Sequence, residues 1–209
     1  MSTAQARYEL IGRGYQHTRH EDPQIAALIH GALAGTRTVV NVGAGTGSYE
    51  PVDRHVIAIE PSDVMSAQRP AHLAPAISAS ARELPLRDQS VDAAMAILTI
   101  HHWDEDQEQG VRELRRVARG PVVILTYDAS VSERMWLMAD YLPEVTALDR
   151  RIFATAEQLG RWLGGSVQEQ TVPIHRDTPD WTLGSFWAHP ERVLDPQARR
   201  ATSGFARLD

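Results

Sequence analysis

The chain contains no cysteine, so neither a disulfide framework nor thiolate chemistry is open to it. Long apolar runs are missing as well: no stretch approaches the roughly 18–20 residues that span a bilayer. The N-terminal region carries Arg7, Arg13, Arg19 and Asp22 and lacks the apolar segment of a signal peptide. A cytoplasmic protein with no membrane span is the expectation. Positive charge is also in short supply, with 21 Lys and Arg against 27 Asp and Glu, a net charge of -6. Neutralising a nucleic-acid backbone needs clustered basic residues. Here they are scattered, apart from pairs such as Arg115–Arg116 and Arg199–Arg200 that read as solvated helix faces. No nucleic-acid partner is expected.

What is present suffices for a real core. The 209 residues are 43% hydrophobic and 23% charged, enough for one α/β domain and too few for two ordinary ones. Short apolar runs at Thr38–Val42, His55–Ile59, Ala76–Ser78, Val91–Leu98 and Val122–Thr126 are bounded by Gly, Pro, Asp or Asn, as buried parallel strands are. Helical patterns fall between them, at Asp22–Leu33, Glu105–Ala118, Ser132–Tyr141 and Thr155–Leu163, with caps such as Asp22-Pro23 and stops such as Gly164-Gly165. Beyond Gly165, Val167–Ile174 alternates like a half-exposed strand. The order predicts a doubly wound, mostly parallel sheet with helices on both faces and an antiparallel edge strand.

The segment from Val39 to Ser48 is a hydrophobic strand running into Gly43-x-Gly45-x-Gly47. Glycines at alternate positions permit positive φ and let a ligand approach the backbone; after the first strand of a doubly wound fold, such a loop sits at the ligand-binding edge. Alone it is a weak signal, since many such loops are only tight turns. A second strand then ends in Glu60, 17 positions after Gly43. A carboxylate there is placed to accept both hydroxyls of an adenosine ribose, although a helix-capping Glu would look the same. Dinucleotide enzymes use Gly-x-Gly-x-x-Gly around a pyrophosphate. Here the third glycine comes one residue early, and Ser48 stands where that pattern has glycine. The spacing favours S-adenosylmethionine over NAD.

These residues resemble the class I S-adenosylmethionine-dependent methyltransferases, and within them the methyltransferase type 11 group that includes the ubiquinone/menaquinone C-methyltransferases. Asn41–Gly47 is similar to their first motif, and Ile59–Met65 to the acidic second-strand motif, whose Met commonly packs near the adenine. Ala81–Asp92, with Leu84-Pro85, Asp88 and Ser90, resembles the third and fourth elements and continues into Ala93–Leu98 and His101-His102-Trp103. The resemblance runs in ordered pieces from about Thr38 to Tyr127. It implies a Rossmann-like fold and S-adenosyl-L-methionine as cofactor, with S-adenosyl-L-homocysteine as product. The cofactor contacts it implies are Asn41, Gly43, Ala44, Gly45, Thr46, Gly47, Glu60, Pro61, Ser62, Met65, Ser80, Ala81 and Leu98. In similar enzymes the N-terminal stretch, here Tyr8–Asp22, folds over the cofactor, which adds Tyr15 and Arg19; a solvated lead-in helix is the plainer reading. The chain then divides into an N-terminal lid or helix (1–35), a cofactor-binding core (36–128) and a substrate-side cap with the C-terminal edge (129–209), all one domain. Three features depart from the family pattern. Asn41 replaces an Asp or Glu, Ser80 replaces an Asp, and the last strand of the usual antiparallel pair is missing before Asp209, as in a truncated chain or one whose edge is completed otherwise.

Methyl transfer is an in-line displacement in which alignment does much of the work, with proton removal where a carbon or oxygen is the acceptor. His101 and His102, just after the fourth strand, are the candidate bases; packing against Trp103, with Asp104 as a helix cap, is the alternative. Asp104, Glu105 and Asp106 beside them do not make a metal site, because consecutive turn residues diverge and no second ligand set matches. The aromatics of Trp136–Tyr141 and Trp181–Trp187 are placed over the acceptor pocket in such a fold, where core packing is the commoner role. The function expected is methyl transfer to a small-molecule acceptor. The alternatives are a non-catalytic S-adenosylmethionine- or S-adenosylhomocysteine-binding protein and, against Ser48, an NAD(P)-binding oxidoreductase.

Overall fold

The computed structural model describes residues 15–207; the part of the N-terminal lid expected at 8–14 lies outside the described residues. Four strands form, β1 (Thr38–Val42), β2 (His55–Ile59), β3 (Ala93–Ile97) and β4 (Val122–Leu125). They pair entirely in parallel, in the order β2-β1-β3-β4. The run at Ala76–Ser78 contributes only a single parallel bridge, Ile77 to Ile59. Among the described residues the helices are α1 (Pro23–Ala32), α2 (Asp63–Ser66), α3 (Gln107–Val117), α4 (Ala129–Ser132), α5 (Trp136–Tyr141), α6 (Pro143–Ile152), α7 (Ala156–Leu163), α8 (Pro196–Arg200) and α9 (Ser203–Ala206). Capping explains where several begin. Asp22 accepts from the Gln24 and Ile25 amides ahead of Pro23, and Thr155 and Gln158 form a reciprocal capping box before α7, which Gly164 ends in the left-handed region.

Strand alternation sends side chains to two separate cores. Val40 and Val42 of β1 and Ala94 and Ala96 of β3 pack with Val111, Leu114 and Val117 of α3 and Leu159 of α7. Val39, Ala93 and Met95 face the other way, onto Ala26 and Ile29 of α1 with Leu33 and Tyr49. The sheet is thus covered on both faces, the doubly wound arrangement read from the sequence.

The piece of sequence closest in pattern to the family elements, Leu84–Asp92, is framework. The Asp92 carboxylate accepts from the Arg37 and Thr38 amides at 3.0 Å each and from Arg119 Nη2 at 2.6 Å, holding its pKa well below the usual carboxylate range, with the Arg119 contact the largest cause. These bonds tie the start of β1 to the start of β3. Glu113 of α3 accepts from the Leu84 amide while Arg116 donates to the carbonyls of Leu84 and Leu86 and to Asp88. All of this lies at the opposite end of the sheet from the glycine loop.

Two expectations are corrected and one element is added. Residues 167–174 form no strand. Pro173 interrupts their alternation and removes a ladder donor, and the segment is pinned by side chains instead: Trp187 Nε1 donates to the Ile174 carbonyl at 3.1 Å. Ser132–Tyr141 is not one helix but α4 and α5, broken at Met135, which is extended (φ -67°, ψ 125°) as the N-cap of α5. The added element is the unread helix α6, opened by Pro143 at its first turn with Val145, Leu148 and Ile152 on one buried face. No described helix is long and apolar enough to cross a membrane.

Candidate cofactor cleft at the glycine loop

After β1 the chain turns to β2 on one side, and β3 lies on the other. The carboxyl ends of β1 and β3 therefore open a crevice where the strand order reverses, the place at which open α/β sheets bind ligands. The glycine loop lies in it. Gly43, Gly45 and Gly47 adopt φ of 71°, 52° and 96°, in the left-handed region that side chains rarely enter. At Gly43 space forbids a side chain as well, since a Cβ would lie 2.0 Å from Thr99 Oγ1. The amides of Gly43 and Ala44 both donate to the Ile59 carbonyl, at 2.9 and 3.0 Å, which locks the loop to the tip of β2.

Glu60 stands at that tip, 3% exposed. Its Oε2 accepts from the Gly45 amide and its Oε1 from the Ser62 amide, each at 2.8 Å. Burial pushes its pKa up, against the pull of those two amides and of Arg69. A carboxylate has about four acceptor positions. With two used on backbone, two remain for hydroxyl donors in the cleft. Ser62 caps α2 by accepting from the Met65 amide, which fixes Met65 on the wall.

The cleft, counted together with the solvent space at its open mouth, spans about 600 Å³. Of the residues read from the sequence, Tyr15, Arg19, Asn41, Gly43, Ala44, Gly45, Thr46, Glu60, Met65 and Leu98 line it. Gly47, Pro61, Ser62, Ser80 and Ala81 do not. Gly47 packs on Leu73 and Arg69, Ser62 acts through the cap, and Ser80 Oγ accepts from the Arg82 amide in its own turn. The residues that sequence reasoning missed are His20, Ser48, Tyr49, Ile97, Thr99 and Asp180. Tyr49 and Leu98 hold φ of 68° and 51°, a cost of about 1–3 kcal/mol each that clusters at ligand sites. Asp180 reaches the cleft from far along the chain. Its Oδ1 accepts from Arg19 Nε at 2.6 Å, Arg19 sits 4.9 Å over the Tyr15 ring, and the Trp181 amide donates to the Thr18 carbonyl at 2.9 Å. No sequence signal pointed to that pairing.

His101 and His102 are buried, 4% and 7% exposed, in the turn after β3, and neither lines the cleft. The His101 ring lies 4.6 Å from Phe153, which meets Tyr127 edge-on at 5.7 Å. Nε2 of His101 is 3.3 Å from Ser203 Oγ, and Arg207 donates to the His101 carbonyl. Tyr127, just past β4, is pushed up to about 12 by burial. Trp136 and Tyr141 stack edge-on near the surface, and Trp181 and Phe186 pack in a separate small core. No group of three or more His, Asp and Glu is placed to hold a metal ion among the described residues.

The fold and cleft together define a doubly wound protein with an open cleft at its switch point. Residues 40–124 match the methyltransferase domain family. The chain is 30% identical to a putative methyltransferase from an antibiotic biosynthesis pathway of Anabaena variabilis, covering 91% of this chain and 81% of that one with a TM-score of 0.79. A possible histamine N-methyltransferase of Thermotoga maritima, described as SAM-dependent, shares the fold at 24% identity, with 76% and 73% covered and a TM-score of 0.53. Among curated proteins, a tRNA (carboxymethyluridine(34)-5-O)-methyltransferase of Arabidopsis thaliana is 24% identical over 86% of this chain, which spans only 43% of that protein's length. The chain belongs to the class I S-adenosylmethionine-dependent methyltransferases of the type 11 group.

Proposed function

We propose that the protein transfers a methyl group from S-adenosylmethionine to a small-molecule acceptor by in-line displacement. The observation that carries the cofactor reading is Glu60, a buried carboxylate with two oxygens fixed by backbone amides and two acceptor positions left toward the cleft. In this reading Glu60 holds the ribose hydroxyls, Gly43 and Gly45 lie against the cofactor without a side chain in the way, Ala44 and Thr46 line the loop beside them, and Met65 and Leu98 wall the base. Tyr15 and Arg19 close over the other end. When bound, the cofactor supplies an electrophilic methyl on a sulfonium. The protein aligns the acceptor and excludes water. Residues 15–35 act as the lid, 36–128 as the cofactor core and 129–207 as the acceptor-side cap. Tyr127 and Phe153 then form an aromatic wall on the acceptor side, and His101 beside them is the proposed base for an O–H or C–H acceptor. It is reached when the Ser203–Arg207 segment covering it moves aside.

Support for a small acceptor comes from the net charge of -6 and from the similarity to the Anabaena protein. A tRNA acceptor is the second reading, favoured by the Arabidopsis relative. One experiment separates them: calorimetry with S-adenosylhomocysteine, then transfer of labelled methyl to panels of small phenols, amines and quinones and to bulk tRNA. Turnover on a small molecule supports the proposal, and turnover on tRNA alone replaces it. Tight binding with no turnover on any panel points to the non-catalytic alternative.

A further inference from the structure

Asn41 stands where similar enzymes carry an acid, and the structure around it accounts for the change. Its side chain is 2% exposed at the end of β1 and lines the cleft. Nδ2 donates to Glu50 Oε1 at 3.0 Å. Oδ1 has no hydrogen-bond partner among the described residues, and a buried acceptor left unpartnered is destabilising. Glu50, 5% exposed, is in turn paired through Oε2 with Arg69 Nη2 at 2.8 Å, both side chains almost fully buried. Arg69 also donates to the carbonyls of Gly45 and Ala74.

This chain of contacts has one consistent polarity. Glu50 only accepts, so it forces the Asn41 amide to present Nδ2 to it and leaves Oδ1 as the unpartnered atom of a side chain that lines the cleft; the flipped amide would set oxygen against oxygen. An aspartate at position 41 would put two carboxylates in contact, and such a pair cannot both ionise. We propose that the negative charge of the first motif has been moved from position 41 to Glu50, which acts as a positioning residue that locks Asn41 Oδ1 as an acceptor for a donor group of the bound cofactor. This rests on the cofactor reading above. It predicts that restoring the family's acid makes the site worse, and that exchanging the two groups repairs it. In Asn41→Asp with Glu50→Gln, the amide introduced at position 50 donates to the carboxylate introduced at position 41 while its own oxygen accepts from Arg69. Every bond and the total charge are kept.

The test is calorimetry with S-adenosylhomocysteine from pH 6 to pH 8.5, beside thermal melts, on wild type, N41D, E50Q and N41D/E50Q. The other charged or titratable groups lining the cleft, Tyr15, Arg19, His20, Tyr49, Glu60 and Asp180, are the same in all four. The wild type should bind with little pH dependence from pH 8.5 down to the point at which Glu60 begins to take up a proton, a loss common to all four proteins. N41D should bind at least about tenfold more weakly at pH 8 and recover as pH falls and the pair takes up a proton, a pH profile that a merely structural Asn would not produce. E50Q should also weaken binding, since a glutamine amide no longer fixes the orientation of the amide at position 41. The double variant should return to within about threefold of wild type. N41D binding as tightly as wild type at pH 8, or a double variant no better than N41D, overturns the proposal. If N41D alone does not fold, the double variant decides: folding and binding support the exchange, and failure in either overturns it. Absence of binding by the wild type would instead sink the cofactor reading.

Discussion

Residues 36–127 and residues 129–207 build a buried interior in different ways. In the first, parallel strands fill the centre with small and branched side chains, and Val39, Val40, Ala93, Ala94 and Met95 are wholly buried between two helix layers. The loops at the strand tips are held by backbone amides, as Gly43 and Ala44 are by Ile59. The second has no strand among its described residues. Short helices and 3₁₀ turns are joined there by large side chains, with Phe186, Leu137 and Ala198 in one cluster and Leu148, Ile152 and Phe153 in another. A site made of amide positions changes little when side chains are exchanged. A site made of side chains changes with each of them, which is how one cofactor core serves different acceptors.

The sharpest way to break the backbone-built half is Gly43→Ala. The new Cβ would collide with Thr99 and hold a left-handed conformation, so several kcal/mol of stability should be lost. A thermal melt should show it, along with loss of S-adenosylhomocysteine binding beyond about a hundredfold. A soluble, binding-competent variant would show that the loop yields where a rigid element could not.

Next in size is the seam between the second half and the N-terminal segment before α1. Asp180 is 4% exposed and paired to Arg19, and removing one partner of a buried pair costs about 3–5 kcal/mol when the other is left uncompensated. Arg19 keeps its place over Tyr15, so Asp180→Ala should cost toward the low end of that range. Faster dissociation of S-adenosylhomocysteine in stopped-flow should accompany it. Unchanged dissociation would mean that the contact holds the chain together without closing the cleft.

The two halves also differ in how far the sequence revealed them. Strands β1 and β2 fell where their apolar runs were bounded, and the glycine spacing with Glu60 pointed to the crevice, because backbone geometry leaves few residue choices there. Asp180 escaped notice because it reaches the cleft by tertiary contact, with no local pattern to mark it. Helix α6 was hidden by Asp149, Arg150 and Arg151 breaking its apolar face. The strand expected at 167–174 was a period-two pattern without a partner, and Pro173 was the available warning.

Asp149 offers a test confined to the side-chain-built half. It is 7% exposed, and burial pushes its pKa up to about 6, opposed by a Ser132 hydrogen bond and by Arg207. The unfolded chain loses this proton near pH 4, so between about pH 4 and 6 the folded chain holds more protons and stability falls as pH rises. Above pH 6 the whole cost of about two pH units is present, ~3 kcal/mol. Asp149→Asn should therefore raise the melting temperature at pH 8, have little effect at pH 4, and flatten the profile between. An unaltered profile would place the charge in water.

The smallest effect expected is on the cofactor side, and it has the opposite dependence on pH. In the proposed site Glu60 must be ionised to accept from Gly45, Ser62 and two hydroxyls at once, since a protonated oxygen becomes a donor facing donors. Burial holds its pKa above the usual carboxylate range, so S-adenosylhomocysteine affinity should fall as pH is lowered, beginning above the pH at which an ordinary Glu titrates. The loss should be at most about tenfold for each pH unit below that point, or ~1.4 kcal/mol. Calorimetry on wild type and Glu60→Gln reads it, the variant being weaker at neutral pH and flat on acidification. The same acidification relieves Asp149 in the cap. A wild type that gains thermal stability while losing cofactor affinity between pH 7 and pH 5 would separate the two halves in one titration, and parallel changes in both would show that they respond as a single unit.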